Sequence, residues 1–332
     1  MSKIAVIAGS LYLWLSPGLT MGQRTSGLIG VPDTSFTVHS AYSKAKKTHP
    51  DIRIAAPALP PTVQANLNVV YCNQNGRDLH IDAFYPVNQS TNRNQLPAVL
   101  LIHGGGWRSG DRSQQIPMAQ QLATNGYVAV TAEYRLSTEA LYPAAVHDLK
   151  AAIRWLRTNA REYNIDPDRI AILGCSAGGQ LAALLGTTGN RKELEGTSCH
   201  TEQSSAVQAI VDVDGVLAFI HPESGEGDDS RSTSAATYWF GASKTEKPKL
   251  WHEASALTYV DKSTPPILFL NSSVDRMHAG RDDMIGKLNA LGIYSEVHTF
   301  ADAPHPFWLF HPWFEPTVSY TVNFLNKVFS KK

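Results

Sequence analysis

A serine inside a glycine-flanked run is the first residue in this sequence that could do chemistry. Ser176 is the centre of residues 174–178, Gly-Cys-Ser-Ala-Gly, which fit the pattern Gly-x-Ser-x-Gly. In this pattern the serine occupies a tight turn between a strand and a helix, and the glycines leave room for the neighbouring elements. The pattern therefore predicts that Ser176 is a nucleophile for acyl transfer.

An acid and a histidine further along the chain are the groups that a serine nucleophile needs. A serine hydroxyl is weakly nucleophilic until a base accepts its proton and a third group orients that base. Asp275 lies just past a strand predicted at residues 267–271, and His305 lies in the loop after a strand predicted at residues 294–300. Because the order serine, acid, histidine is the one expected for such a nucleophile, we predict a triad of Ser176, Asp275 and His305.

Two other aspartates compete for the role of the acid. Asp214 follows a strand predicted at residues 209–213, so it also stands at a strand end. Asp302 lies only three residues before His305 in the same loop. We therefore interpret Asp302 as a neighbour of the base and not as the acid that orients it. We place Asp275 first and keep Asp214 as the alternative acid.

Other histidines compete for the role of the base. His298 falls inside a strand pattern, and His311 precedes the last predicted helix. His103 precedes a run of glycines and is expected to shape that loop. His305 is therefore the predicted base.

A glycine run follows the strand predicted at residues 98–102. Residues 103–107 read His-Gly-Gly-Gly-Trp. Consecutive glycines let the backbone approach a substrate and point N–H groups at a developing oxyanion, and the amide after the nucleophile adds a donor. We predict an oxyanion hole formed by Gly105, Gly106 and Ala177. A phosphate loop would need Gly-x-x-x-x-Gly-Lys-Ser/Thr, which this run does not fit.

Strands that alternate with helices must position these residues. Strands are predicted at residues 67–71, 79–85, 98–102, 127–131, 169–173, 209–213, 267–271 and 294–300, and helices at 113–125, 143–160, 180–185, 282–291 and 317–329. The first two strands form a hairpin around Asn75-Gly76. The alternation predicts an α/β fold with a mostly parallel central sheet, helices on both faces, and ligands bound at the carboxyl ends of the strands.

Three segments surround or interrupt this alternation. Residues 1–23 contain a short apolar run after Lys3 and are predicted to be a cleaved export signal, although a buried N-terminal segment is the alternative. Residues 24–65 lack periodicity and are interpreted as a linker or arm, so that the catalytic domain covers residues 66–332. The insertion at about 215–251 is interpreted as a partial lid, with a disordered surface loop as the alternative.

Composition limits the class of protein and its partners. The chain has 332 residues, of which 43% are hydrophobic and 17% charged, which is typical of a globular protein. Its 29 Lys and Arg balance 29 Asp and Glu, so no net field attracts nucleic acid or an anionic membrane. Twelve histidines occur, but no His-Glu-x-x-His or paired Cys-x-x-Cys spacing, so no metal and no cofactor are predicted.

The three cysteines leave at least one thiol unpaired. Cys175 is next to the predicted nucleophile and is expected to be a small packed residue. Cys72 and Cys199 can form a disulfide if the protein is exported, but the sequence does not place them in contact.

Several segments together carry a resemblance to a known family. They are residues 103–107, 133–136 (Glu-Tyr-Arg-Leu), 142–144 (Tyr-Pro-Ala) with Asp148, 174–178, Asp275 and His305. In combination they resemble the bacterial α/β-hydrolase esterases related to acetyl and feruloyl esterases of plant polysaccharides. The resemblance runs from about Leu67 to Lys327 and implies an α/β-hydrolase fold, a serine esterase and export to a secreted or periplasmic location. It is specific for fold and triad rather than for substrate, because the same frame serves many hydrolases. The sequence departs from the family before Asn66 and in the aromatic residues 307–314.

These patterns predict an esterase that removes acetyl or similar acyl groups from plant-type polysaccharides or oligosaccharides. Trp107, Trp239 and Trp308 are candidate substrate-binding residues, as is Trp313, because aromatic rings can pack against sugars, although buried tryptophans are equally ordinary. The alternatives are a general carboxylesterase, lipase, exopeptidase or acyltransferase on the same fold, and a non-catalytic binding protein with a vestigial site.

Overall fold

A β-sheet is the centre of the protein in the computed structural model, which describes residues 30–87, 95–189 and 191–330. The strands are β1 (Arg53–Ile54), β2 (Val63–Gln74), β3 (Arg77–Pro86), β4 (Leu96–Ile102), β5 (Val128–Ala132), β6 (Ile165–Cys175), β7 (Ala209–Val213), β8 (Ile267–Asn271), β9 (Ser295–Thr299) and β10 (Phe310–His311). The α-helices are α1 (Val38–Ala45), α2 (Ile116–Thr124), α3 (Ala144–Thr158), α4 (Ala177–Thr187), α5 (Ala235–Phe240), α6 (Pro248–Glu253), α7 (Arg281–Ala290) and α8 (Phe314–Phe329).

Strand order brings the predicted site residues to one edge of the sheet. Eight strands form a sheet in the order β2-β3-β5-β4-β6-β7-β8-β9. The six strands from β5 to β9 in this order run parallel to one another, whereas β3 is antiparallel to both β5 and β2. The predicted mostly parallel sheet is confirmed. The carboxyl ends of β6, β7 and β8 therefore lie side by side.

Helices cover both faces of this sheet. Successive strand residues point to opposite faces, so Leu100 and Leu101 of β4 belong to two separate apolar cores. Helices α3 and α4 pack on the first core, and α1, α2 and α8 pack on the second. The described helices include none with the length and apolar character needed to cross a membrane.

The long helix α3 shows how apolar spacing determines burial. Val146, Leu149, Ile153 and Leu156 recur at helical spacing, and all four are fully buried. The helix begins directly after Pro143, which occupies the N-cap position. The predicted helix at residues 143–160 is confirmed within two residues at either end.

The hairpin between β2 and β3 also follows its prediction. Asn75 and Gly76 separate the two strands and have φ values of 53° and 94°. Both angles fall in the left-handed region that a tight two-residue hairpin turn requires.

The segment predicted to be a linker or arm is in fact packed on the core. Helix α1 is capped by Thr37 and buries Ala41 and Ala45. Strand β1 pairs antiparallel with β10, and β2 already begins at Val63. The interpretation of residues 24–65 as a loose arm was therefore wrong for the part that is described. An eight-residue helix and a two-residue strand are too short to give a visible period.

The insertion at residues 215–251 is ordered by its aromatic side chains. Helices α5 and α6 lie at its end, and Trp239 and Trp251 are fully buried there. Phe219 contacts both indole rings, with ring centroids 6.3 Å and 5.9 Å away. The alternative of a disordered surface loop is wrong. The predicted export signal at residues 1–23 lies outside the described residues.

A disulfide joins Cys72 on β2 to Cys199, 127 residues further along the chain, while Cys175 is a buried free thiol. Arg154 fixes the loop that carries Cys199 by donating to the carbonyl oxygens of Ser198 and Cys199 at 2.8 Å and 3.1 Å. The disulfide connects an edge strand to this loop.

Removing this disulfide is expected to lower the free energy of unfolding by about 4 kcal/mol, because the cross-link restricts a long loop in the unfolded chain. Denaturant unfolding of a Cys72→Ala/Cys199→Ala variant would measure the loss. Dithiothreitol should destabilise the wild type and leave the double variant unaffected. Equal stability of wild type and variant without reductant would contradict the expectation.

Candidate active site

Ser176 lies on a sharp turn between the end of β6 and the start of α4. Its φ and ψ are 56° and −120°, a backbone conformation that non-glycine residues rarely adopt. Its amide donates to the carbonyl oxygen of Val213 at 2.8 Å, which ties the turn to the neighbouring strand β7. A strained turn of this kind presents the serine hydroxyl at the edge of the sheet.

The glycines around Ser176 are required by close backbone contacts. A β-carbon on Gly174 would lie 1.8 Å from the carbonyl oxygen of Gly178. A β-carbon on Gly178 would lie 2.4 Å from the carbonyl oxygen of Ile102 on β4. Both distances are far below van der Waals contact, so residues with side chains cannot replace these glycines without moving the turn.

His305 contacts both a serine and an aspartate. Its Nε2 lies 2.8 Å from the Ser176 hydroxyl oxygen, and its Nδ1 lies 2.9 Å from Asp214 Oδ2. When Nδ1 donates its proton to the carboxylate, Nε2 is left to accept the serine proton. The structure therefore brings the predicted nucleophile and the predicted base together, with Asp214 behind the base.

Asp214 is held as a buried acceptor. It follows β7 directly, has a φ of 52°, and is fully buried. Its Oδ1 accepts the Ser272 amide at 2.8 Å, which leaves Oδ2 for the histidine. A buried carboxylate with both oxygens occupied is fixed in position and can orient an imidazole.

The prediction of Asp275 as the acid was wrong. Its side chain is 95% exposed, and its nearest ionic partner is His278 Nε2 at 3.9 Å. Asp275 opens a short 3-10 helix, several residues past the end of β8, and this turn carries the carboxylate out into solvent. Asp214, by contrast, is the first residue after β7. The alternative acid is therefore the one that the structure places against His305.

A second buried aspartate lies close to Asp214. Asp212 is fully buried on β7 and packs against the backbones of Gly179 and Gly215. Burial, and then the charge on Asp214, raise the pKa of Asp212 well above its ordinary value. Burial therefore favours the protonated, uncharged form of the Asp212 carboxyl group.

The rival residues have partners elsewhere. His298 stacks on Tyr320 with ring centroids 3.8 Å apart, and His103 stacks on Tyr134 at 4.4 Å. His311 pairs with Glu315 at 2.6 Å. The backbone carbonyl of Asp302 contacts His49 Nε2 at 2.8 Å. None of these contacts involves Ser176.

A small cavity of about 140 Å³ opens beside Ser176. Gly106 and Ala177 line it, so their amides stay candidates for the oxyanion hole. Gly105 is not among its lining residues. A β-carbon there would lie 2.0 Å from the carbonyl oxygen of Ser109, so this glycine is needed for the turn itself.

The insertion contributes three residues to the same cavity. Val216, Glu226 and Ala235 line it, so this segment forms part of the wall around the nucleophile. Burial raises the pKa of Glu226, although the positive charge of Arg276 acts in the opposite direction. Arg276, from the turn after β8, also lines the cavity. Nothing in the sequence pattern had singled out either residue.

The predicted substrate-binding tryptophans are mainly buried packing residues around the site. Trp107 lines the cavity and donates from Nε1 to Gln180 Oε1 at 2.9 Å. Trp239 is fully buried and stacks on Trp107 with centroids 5.0 Å apart. Trp308 is only 3% exposed and meets the His305 ring edge-on at 5.3 Å. The prediction that Trp239 and Trp308 bind substrate was wrong, because neither offers a free face.

Comparison with known proteins places this site in a family. A model of the BD-FAE family matches residues 81–279, more than half of the chain. The chain belongs to the BD-FAE family. The matched BD-FAE residues include Ser176, Asp214 and the glycine run, whereas His305 lies beyond them.

Curated relatives of this BD-FAE member are named esterases. Esterase LipQ of Mycobacterium tuberculosis is 30% identical over 184 residues, which cover 55% of this chain and 43% of LipQ. Carboxylesterase NlhH of the same species is 43% identical over 94 residues, which cover 28% of this chain and 30% of NlhH. The chain spans less than half the length of the curated relatives it matches.

Solved structures share the fold of this BD-FAE member. A truncated carbohydrate esterase from gut microbiota superposes with a TM-score of 0.70 at 23% identity, over 83% of this chain and 99% of that one. Esterase 2 of Thermogutta terrifontis, in a sarin-phosphonylated form, gives a TM-score of 0.67 at 24% identity, over 82% and 96%. The predicted α/β-hydrolase fold is confirmed.

Proposed function

We propose that this BD-FAE family member hydrolyses carboxylic esters by a serine mechanism. The observation that carries the proposal is the continuous line from the Ser176 hydroxyl through His305 to Asp214, with contacts of 2.8 Å and 2.9 Å. This geometry joins a nucleophile, a base and an orienting acid, as acyl transfer requires. The esterase names of the relatives support the same reaction class.

The reaction follows from the three side chains. Ser176 Oγ attacks the ester carbonyl carbon while His305 Nε2 takes the serine proton, and the carbonyl oxygen becomes an oxyanion near the amides of Gly106 and Ala177. His305 then gives the proton to the departing alcohol oxygen, which leaves an acyl-serine. Water attacks the acyl group with His305 again as base, and the acid and free Ser176 are released. Asp214 stabilises the imidazolium throughout.

The substrate is proposed to carry a short acyl group on a carbohydrate. A cavity of about 140 Å³ is smaller than the roughly 300–1,000 Å³ of sites for drug-sized ligands, which favours acetyl over an aromatic acyl group. The gut-microbiota protein with the same fold is described as a carbohydrate esterase. A general carboxylesterase is the second candidate, because the name of NlhH supports it.

Acetate release separates these two candidates. The purified protein is assayed on acetylated xylan, acetylated pectin and simple ethyl and phenyl acetates, with amide and alcohol acceptors added to detect peptidase or transferase activity. A carbohydrate esterase is expected to release acetate from at least one polysaccharide faster than from ethyl acetate. Faster hydrolysis of the simple esters throughout would favour the general carboxylesterase.

Acyl-chain preference tests the size of the cavity. Hydrolysis of p-nitrophenyl acetate is expected to exceed that of p-nitrophenyl octanoate by more than about tenfold in kcat/KM, since each unaccommodated methylene weakens transition-state binding. p-Nitrophenyl butyrate should fall between them. Equal values for acetate and octanoate would contradict a cavity of this size.

The proposed place of action is outside the cytoplasm. The disulfide between Cys72 and Cys199 supports this, because such bonds persist in oxidising compartments. Amino-terminal sequencing of protein recovered from the growth medium or periplasm tests it. Cleavage within or just after residues 17–23 is expected, and an intact Met1 would argue against export.

A further inference from the structure

Two oppositely charged side chains face the nucleophile's cavity and have no part in the reaction described above. Glu226 reaches the cavity from the insertion, and Arg276 reaches it from the turn that follows β8. Both line the same space as the Ser176 hydroxyl. Their position fits contact with the substrate beside the ester.

The Glu226 side chain is held in place, and its carboxylate oxygens can still accept further hydrogen bonds. Its Oε2 accepts the Ala236 amide at 3.2 Å, at the start of α5. Its own backbone is held on both sides, by the Ser224 hydroxyl at 3.3 Å and by Lys244 Nζ at 3.3 Å. A carboxylate has about four lone-pair positions, so one amide contact leaves most of them available.

Arg276 supplies donors at the same cavity. Its aliphatic stem lies against Gly225, where a β-carbon would come within 3.2 Å of the arginine Cδ. Within the described part of the chain, its guanidinium makes no hydrogen bond or ion pair, and Glu226 forms no ion pair either. A guanidinium offers five N–H donors in a rigid fork.

The acceptor on Glu226 and the donors on Arg276 together determine which kind of ligand group can bind here. An anionic ligand at this place would be attracted by Arg276 and repelled by Glu226. A cationic ligand would be attracted by Glu226 and repelled by Arg276. A neutral hydroxyl group both donates and accepts, so neighbouring hydroxyls can satisfy both side chains. We propose that Glu226 and Arg276 bind hydroxyl groups next to the ester on a polyhydroxylated alcohol such as a sugar. This inference rests on the proposed esterase function and assigns its specificity residues.

A matched pair of esters tests the assignment. The full chain is assayed on trans-2-hydroxycyclohexyl acetate and on cyclohexyl acetate, which differ by one neighbouring hydroxyl. The wild type is expected to prefer the hydroxylated ester by about tenfold in kcat/KM. Glu226→Leu and Arg276→Leu should each reduce this preference to about twofold or less. The exposed residues Glu246 and Arg231 give matched controls, because Glu246→Leu and Arg231→Leu should keep the wild-type preference.

The outcomes separate this inference from the esterase proposal. A wild type that hydrolyses p-nitrophenyl acetate but shows no preference overturns the inference alone, as do Leu variants that keep the full preference. A wild type that hydrolyses no ester overturns both. A faster reaction with acetylcholine or with an acetate ester bearing a carboxylate would show that a charge is recognised instead. If Glu226→Leu fails to fold by circular dichroism, Glu226→Gln keeps the shape and is still expected to lower the preference.

Discussion

A Ser176→Ala variant is expected to lose hydrolysis of p-nitrophenyl acetate by about 10⁵-fold to 10⁶-fold in kcat. The alanine keeps the turn but removes the oxygen that forms the acyl intermediate, and His305 Nε2 loses its partner at 2.8 Å. The residual rate should come from the oxyanion donors and binding alone. Initial rates at saturating substrate measure the loss.

The control for this variant is a serine outside the site. Ser319 is exposed on α8, so Ser319→Ala should hydrolyse p-nitrophenyl acetate at the wild-type rate. Circular dichroism must show the same fold for both variants. If Ser176→Ala keeps its kcat within about tenfold of the wild type, Ser176 is not the nucleophile.

The second large effect is expected at the acid. Asp214→Asn should lower kcat by about 10⁴-fold, because an amide cannot hold the histidine in the tautomer that accepts the serine proton. Asp275→Asn should stay within about twofold of the wild type, since that side chain is 95% exposed and His305 Nδ1 contacts Asp214 instead. The two substitutions remove the same charge from aspartates that follow neighbouring strands, so each serves as the control for the other.

The opposite result would indicate that Asp275, and not Asp214, is the acid of the triad. If Asp275→Asn loses activity while Asp214→Asn keeps it, the loop after β8 must move during the reaction and bring Asp275 to His305. Comparable losses in both variants would mean that neither aspartate acts alone. The structure supports Asp214, because its Oδ2 lies 2.9 Å from His305 Nδ1 and its Oδ1 is occupied by the Ser272 amide.

The sequence predicted most of the sheet because its central strands are short, mostly apolar runs that alternate with helical patterns. β5, β7 and β8 are fully buried, and runs of this kind between helices indicate parallel strands. The position of Ser176 followed from local backbone requirements, since Gly174 and Gly178 leave no room for side chains. Both signals are local, so a single sequence can carry them.

The acid could not be decided from such local signals. Asp214 and Asp275 both follow parallel strands and both lie between Ser176 and His305, so order and placement fit either. What separates them is the path of the backbone after each strand: Asp214 turns inward with a φ of 52°, and Asp275 begins an exposed helical turn. The residue types in the two loops do not indicate which backbone path each loop takes.

Long-range packing accounts for the other errors. Strand β1 is recognisable only through its partner β10, more than 250 residues away. The residues next to Trp239 and Trp308 in the sequence do not indicate whether the two indole rings are exposed or buried. The structure shows that both are buried. The insertion was identified by its length, but the contribution of Glu226 to the cavity depends on how that segment folds back over Ser176.

The most direct test of the serine mechanism is to identify the nucleophile chemically. The purified protein is treated with a fluorophosphonate, and the adduct is located by peptide mass spectrometry while hydrolysis of p-nitrophenyl acetate is followed. We expect one adduct per chain, on Ser176, formed in parallel with the loss of activity and strongly slowed in Asp214→Asn. If Ser176 stays unlabelled while the enzyme loses activity, or if inactivation follows an adduct on another residue, Ser176 is not the nucleophile.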